Sequence, residues 1–240
     1  MLALDKPSGL AYSGSNDNSK PQLDRLINAI KNRLLPKCER LYTVLTLDRS
    51  CSGIVLFATT SLLKSELQER LRNGEIIVRS CGIVRGKLPS NNISIQTPLM
   101  KSTKNGQLKL YGAKEGEKKG MKLSTKVKVE KGTESHSLVD IETTSEVSHQ
   151  IRCHLSLCGS PLIGDNVYGG KNGQPMRYPS QILEALQLSR NQSSKLPMFL
   201  HRKEISIPSI ISTRPNISIQ SPLPSHFVYA LKKLSLLKRR

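Results

Sequence analysis

Apolar residues along this 240-residue chain recur at two spacings. Positions 23, 26, 27, 30, 34 and 35 are apolar with polar residues between them. Steps of three and four put such residues on one helical stripe, which predicts a helix over 23–35. The same spacing over 61–71, with leucines at 62, 63, 67 and 71, predicts a second helix. Shorter helices are predicted over 149–157, 182–188 and 227–237. Residues 2–4 read as a strand stopped by the turn Lys6-Pro7-Ser8-Gly9, and 13–22 as a polar loop. Residues 54–58 form an unbroken apolar run, the pattern of a strand covered on both faces. Further strands are predicted over 76–84, over 123–129 and 137–142 around a Lys131-Gly132 turn, and over 198–207, which stops at Pro208. Helices and strands do not alternate regularly, so the predicted class is α+β, with a mixed, largely antiparallel sheet flanked by helices. No repeat or low-complexity linker divides the chain, so one domain is predicted over 1–240. The Lys- and Gly-rich stretch 101–122 reads as a basic insertion, an exposed loop or hairpin.

Composition narrows the function. With no tryptophan, the core must be built mainly from Leu, Ile and Val. Lysine and arginine number 37 against 18 acids, a net charge of +19. An excess of that size favours a polyanionic partner through phosphate contacts and counterion release, which puts RNA or DNA first. Five cysteines at irregular spacing, with no CxxC, argue against a disulfide framework or a zinc site and for a reducing compartment. No apolar run approaches the ~20 residues of a membrane span, and MLALDKPSGL has the character of neither a secretory signal nor an organellar leader.

Most catalytic chemistries find no support. His149 and His154 are five apart and fall on different faces of a helix, and there is no HExxH, so no metal is expected. There is no GxSxG and no Gly-rich nucleotide loop, so neither a serine nucleophile nor a cofactor is expected. What remains is a lone acid, Asp48, in LYTVLTLDRSCSGIVLFAT, and the dense block HQIRCHLSLCGSPLIGDNVYGG over 149–170. In that block His, Gln, Arg and His crowd a predicted helix start, where free N–H groups and the helix dipole favour phosphate.

These two stretches resemble the RluA-type RNA pseudouridine synthases. The late block is similar to the family pattern HQIRxHLxxxGxPIxGDxxYG, matched at His149, Gln150, Ile151, Arg152, His154, Leu155, Gly159, Pro161, Gly164, Asp165, Tyr168 and Gly169. LDKPSGL resembles the family's opening strand and turn, LDRSCSGIVLFA its catalytic block, and FLHRKEISIP and SPLPSHF its closing strand and tail. The resemblance covers nearly the whole chain and lacks the separate N-terminal RNA-binding domain of many bacterial members. It implies a pseudouridine synthase fold with an RNA-binding cleft across its sheet. It also implies Asp48 as the catalytic aspartate, Arg152 as its basic partner, no metal or organic cofactor, and RNA contacts from Arg49, His149, Gln150 and Arg152; Lys6, in the opening turn, reads either as a further RNA contact or as a solvated turn lysine. The reaction it implies is uridine to pseudouridine in rRNA, tRNA or mRNA, by a monomer, with the mitochondrial matrix the first compartment and the cytoplasm or nucleus the alternatives. Three positions depart from the family: Leu45-Thr46 replace its His-Arg, Ser80 stands at its active-site tyrosine, and Glu146-Val147 replace the Gly-Arg before the HQIR block. These departures keep open a second function, an RNA-binding or ribosome-assembly factor with little catalysis.

Overall fold

The computed structural model describes residues 1–13, 21–104, 107–113, 120–145, 147–170, 176–209 and 215–237. It divides into two compact units. The first takes the described residues of Met1–Val78, Thr144–Glu146 and His201–Pro222; the second takes those of Arg79–Thr143, Val147–Leu200 and Leu223–Arg240.

In the first unit the central strand is β3 (Ser52–Ala58). Strand β1 (Leu2–Lys6) runs antiparallel to it, with Leu2 opposite Phe57 and Lys6 opposite Gly53. Strand β2 (Tyr42–Leu45) also pairs with β3 antiparallel, through a bulge between Thr43 and Leu45. Strand β10 (Leu200–Ile207) meets β3 in parallel at His201–Ser52 and Arg202–Gly53, and carries β11 (Ile217–Gln220) antiparallel. The unbroken apolar run of β3 has a plain cause. Val55 and Phe57 face a cluster with Leu23, Ile27 and Ile30 of helix α1 (Leu23–Leu34). Ile54, Leu56 and Ala58 face the opposite way, onto Leu67 and Leu71 of helix α2 (Ser61–Arg72). Thr60 caps α2, its hydroxyl accepting the Leu63 N–H at 3.1 Å.

The second unit is a sheet in the order β4 (Ile77–Arg85), β9 (His136–Thr143), β8 (Thr125–Gly132), β5 (Asn92–Ile95). The β8–β9 and β5–β8 pairs are antiparallel. Helices α4 (Ser180–Ala185) and α5 (Ser225–Lys233) build a core with Ile83 of β4 through Ile182, Phe227 and Leu231. The basic stretch is a hairpin: β6 (Leu99–Lys104) pairs antiparallel with β7 (Gln107–Gly112), while residues 105–106 and 114–119 lie outside the described residues. Leu99 and Leu110 turn inward onto Cys153 of helix α3 (Gln150–Leu157) and onto Tyr168. Among the described residues no helix is long and apolar enough to cross a membrane. The elements are a mixture of helices and mostly antiparallel strands, as the residue pattern predicts.

Candidate active site

Asp48 sits in the connection between β2 and β3, half-buried, and its backbone carbonyl accepts the Cys51 N–H at 3.1 Å to close a turn. The opening turn of the chain is stitched onto it. Gly9 N–H donates to the Arg49 carbonyl at 2.8 Å, Arg49 Nε returns a bond to the Gly9 carbonyl at 3.0 Å, and Ser8 Oγ donates to the Ser50 carbonyl at 2.8 Å. Lys6 lies at the centre, only 2% exposed. Its ammonium donates to the carbonyls of Cys51 (2.7 Å), Leu10 (2.8 Å) and Pro7 (3.0 Å), with Arg49 O at 3.4 Å. Burial lowers the Lys6 pKa to about 8, against the opposing pull of Cys51 and Asp48. Lys6 therefore acts inside the fold, on the turn that carries Asp48, whereas its place in a KPSG turn suggested an RNA contact or a solvated turn lysine. Arg49 is exposed beside Asp48.

The strand leaving this turn is held at its first residues. Gly53 adopts φ +110°, and a Cβ there would lie 2.2 Å from the Arg202 carbonyl, so only glycine permits the close pairing with β10. His201 is wholly buried and links Ser52 to the chain segment after β11. A carbonyl only accepts, so His201 Nε2–H donates to Ser221 O at 3.3 Å, and Nδ1 accepts the Ser52 hydroxyl at 3.0 Å. Ser221 Oγ then donates to Asp5 Oδ1 at 2.8 Å. This histidine is a strut, the structural role that its alternating strand suggests. At the positions where the family pattern has His-Arg, Leu45 is wholly buried in the core and Thr46 is half-buried. Ser80, at the tyrosine position, is 3% exposed.

The 149–170 block forms a second constellation, within the second unit. Its helix begins at Gln150, because His149 holds the left-handed conformation (φ 70°), rare for a residue with a side chain. Gln150 is buried and donates to Ser124 O and Thr125 Oγ1, each at 3.0 Å. His154 Nε2–H donates to Thr97 O at 3.0 Å, and Nδ1 accepts the Thr125 hydroxyl at 2.8 Å; burial lowers its pKa, so the neutral ring serves as a strut. Arg152 forms a two-pronged pair with Asp165: Nε to Oδ2 and Nη2 to Oδ1, both 2.8 Å, with the Asp165 side chain wholly buried. Asp165 Oδ1 also accepts the N–H groups of Val167 (2.9 Å) and Tyr168 (3.0 Å). Burial pushes the Asp165 carboxyl upward, but the Arg152 and N–H bonds outweigh it and hold the pKa below the ordinary value. Asp165 thus ties neighbouring N–H groups in its turn and also grips Arg152, a contact that a spacing of thirteen residues does not signal.

Tyr168 completes the block. Its hydroxyl accepts the Leu110 N–H at 2.7 Å and lies 3.1 Å from His149 Nδ1, with the two rings edge-on at 5.5 Å. The Arg152 guanidinium lies 5.3 Å from the centre of its ring. Among the described residues, no cluster of His, Cys, Asp and Glu could hold a metal ion.

A model described as RNA pseudouridylate synthase matches residues 1–157, which include the Asp48 turn and all of α3. The chain belongs to the RNA pseudouridylate synthase family. Its members are isomerases acting on RNA. The human mitochondrial pseudouridylate synthase RPUSD4 is 24% identical over 98% of this chain and 67% of its own length. The ribosomal large subunit pseudouridine synthase C of Escherichia coli is 28% identical, with the same coverages of 98% and 67%. The solved structure of human RNA pseudouridylate synthase domain containing 4 superposes with a TM-score of 0.82, covering 97% of this chain and 89% of that one, at 20% identity. This is the pseudouridine synthase fold. Asp165 and Tyr168 lie just past the matched segment.

Proposed function

We propose that this chain converts uridine to pseudouridine in RNA with Asp48 as the catalytic carboxylate. The observation that carries this is the Asp48 turn: a carboxylate on a short connection, fixed by a buried lysine and three cross-bonds, beside the exposed Arg49. Such fixing is what a reactive group needs. The reaction breaks N1–C1′, turns the base, and joins C5 to C1′; the C5 proton leaves and N1 gains one, so no atoms are lost. The carboxylate acts on the ribose, by attack at C1′ or removal of a sugar proton. Arg152, set by Asp165, is the basic group proposed to work with Asp48. The target uridine must leave its stack to reach Asp48. Exposed Lys101 and Lys109 of the β6–β7 hairpin, with Arg49, supply phosphate contacts. We take the whole of 1–240 as one catalytic domain, because the chain passes repeatedly between the two units, and we take it to act as a monomer away from membranes. The mitochondrial matrix is the proposed compartment, after the RPUSD4 relatives. Large-subunit ribosomal RNA is the first substrate to test, after the bacterial relatives.

A second function, RNA binding without turnover, is favoured by one observation: Leu45 is core and Ser80 is buried, so neither supplies the chemistry of the residue it replaces. One experiment separates the two. Protein is incubated with organellar rRNA, tRNA and mRNA transcripts, and pseudouridine is mapped by carbodiimide primer extension. Stops that vanish with Asp48→Asn support the synthase. Binding of every RNA without a stop supports the binding factor.

A further inference from the structure

Tyr168 makes contacts that a packing residue does not need. Each end of it is tied to a different part of the second unit. Its backbone N–H is bound by Asp165, the carboxylate that grips Arg152, and its carbonyl accepts Ser156 Oγ of α3 at 2.9 Å. Its ring lies under the Arg152 guanidinium, with the Lys109 ammonium 5.7 Å from the ring centre. Its hydroxyl holds the backbone of β7 through Leu110 and touches His149, the left-handed residue that starts α3. The residue is 7% exposed. A hydroxyl that accepts one N–H keeps its own proton for a second partner. Burial raises the Tyr168 pKa to about 12, so that proton stays in place at any working pH. The hairpin carries the exposed Lys101 and Lys109, and its Leu99 and Leu110 pack with Cys153 of α3. One side chain thus joins the lysine-bearing hairpin to the buried Arg152–Asp165 pair.

We propose that Tyr168 is a positioning residue that couples the β6–β7 hairpin to the Arg152–Asp165 pair, so that seating the hairpin on RNA sets the Arg152 guanidinium. The inference rests on the proposed synthase function for its catalytic consequence but not for the coupling itself. Tyr168→Phe is the natural probe, since it keeps the ring and removes only the hydroxyl that holds Leu110 and His149.

Two measurements test the proposal. In hydrogen exchange on the wild-type protein, added RNA should protect residues 99–104 and 107–112 together with 150–168. In Tyr168→Phe the hairpin should exchange faster without RNA, and RNA should no longer protect 150–168. In single-turnover kinetics, Tyr168→Phe should slow the step at saturating RNA on the order of tenfold, while RNA affinity changes by less than about threefold. A purely structural tyrosine would not divide rate from affinity in this way. Hairpin protection without protection of 150–168 in the wild type overturns the coupling, even if Tyr168→Phe does not fold. An unaltered rate in a folded Tyr168→Phe overturns the catalytic consequence. A wild type that binds RNA and shows the joint protection, yet forms no pseudouridine, leaves the coupling standing and removes the synthase function.

Discussion

Replacing Lys6 with methionine keeps the length of the side chain and removes its charge and all its donors. Three carbonyl bonds of 3.0 Å or less are lost, to Cys51, Leu10 and Pro7. Bonds from a charged donor contribute about 1.5–3 kcal/mol each, so the gross loss is roughly 5–9 kcal/mol. Against this stands the cost of burying the ammonium. A pKa of about 8 in place of 10.5 corresponds to about 3 kcal/mol at 1.36 kcal/mol per unit. The hydrogen bonds therefore win, and Lys6→Met should destabilise by about 2–6 kcal/mol at pH 7. For a chain of this size that lowers Tm by roughly 4–24 °C, at ~2–4 °C per kcal/mol. Urea unfolding followed by circular dichroism measures it. The pH dependence carries its own sign. Between pH 8 and 10.5 the unfolded lysine holds its proton more tightly than the folded one, so the wild type gains stability as pH rises through that window. Groups common to both proteins cancel in the difference. The gap between wild type and Lys6→Met should accordingly widen above pH 8, by up to about 3 kcal/mol. A variant within about 0.5 kcal/mol of wild type, or a gap that narrows with rising pH, would refute the assignment of Lys6 as the internal tie of the Asp48 turn.

Other outcomes are equally direct. Asp165→Asn leaves Arg152 charged and buried against a neutral amide, and should cost about 3–5 kcal/mol in thermal or urea unfolding. Because the Asp165 pKa is held down in the fold, the stability it contributes is present above the ordinary carboxylate range and lost as pH falls through it, and the Asn variant should lack that acid limb. Gly164→Ala should unfold or lose more than about 3 kcal/mol, since its φ is +85° and a Cβ would lie 2.0 Å from the Pro197 carbonyl. RNA affinity should fall steeply between low and moderate salt, with a shallower slope in Lys101→Ala/Lys109→Ala, measured by filter binding across a salt series; a slope that the double substitution leaves unaltered would remove the hairpin from the phosphate contacts.

Much of the fold was legible because β3 and the two helices on it obey simple periodicities. The run 54–58 has no polar side because α1 and α2 cover both its faces. Short edge elements were not legible. β5 and β11 are four residues each, NISI and ISIQ, too brief for alternation to stand out, and they form by pairing with β8 and β10. β2 was hidden inside a longer apolar stretch. In the site, the shared motif marked Asp48 and Arg152 by position. It could not reveal that Lys6 faces inward, because a lysine in a turn has the same local pattern whether its ammonium meets water or four carbonyls. Nor could it show Asp165 gripping Arg152 or Tyr168 reaching Leu110, since those contacts depend on how the loop after α3 folds back.

The strut from Ser52 to His201 spans 149 residues, and the bond from Ser221 to Asp5 spans 216. Contacts of such separation close late, because the loop entropy must be met before they form. During synthesis β1, β2 and β3 emerge first, but the strand after Asp48 lacks its His201 anchor until some 200 residues have left the ribosome. The order of synthesis thus separates making the Asp48 turn from locking it, and fragments ending before Ser221 should carry Asp48 on an unfinished turn.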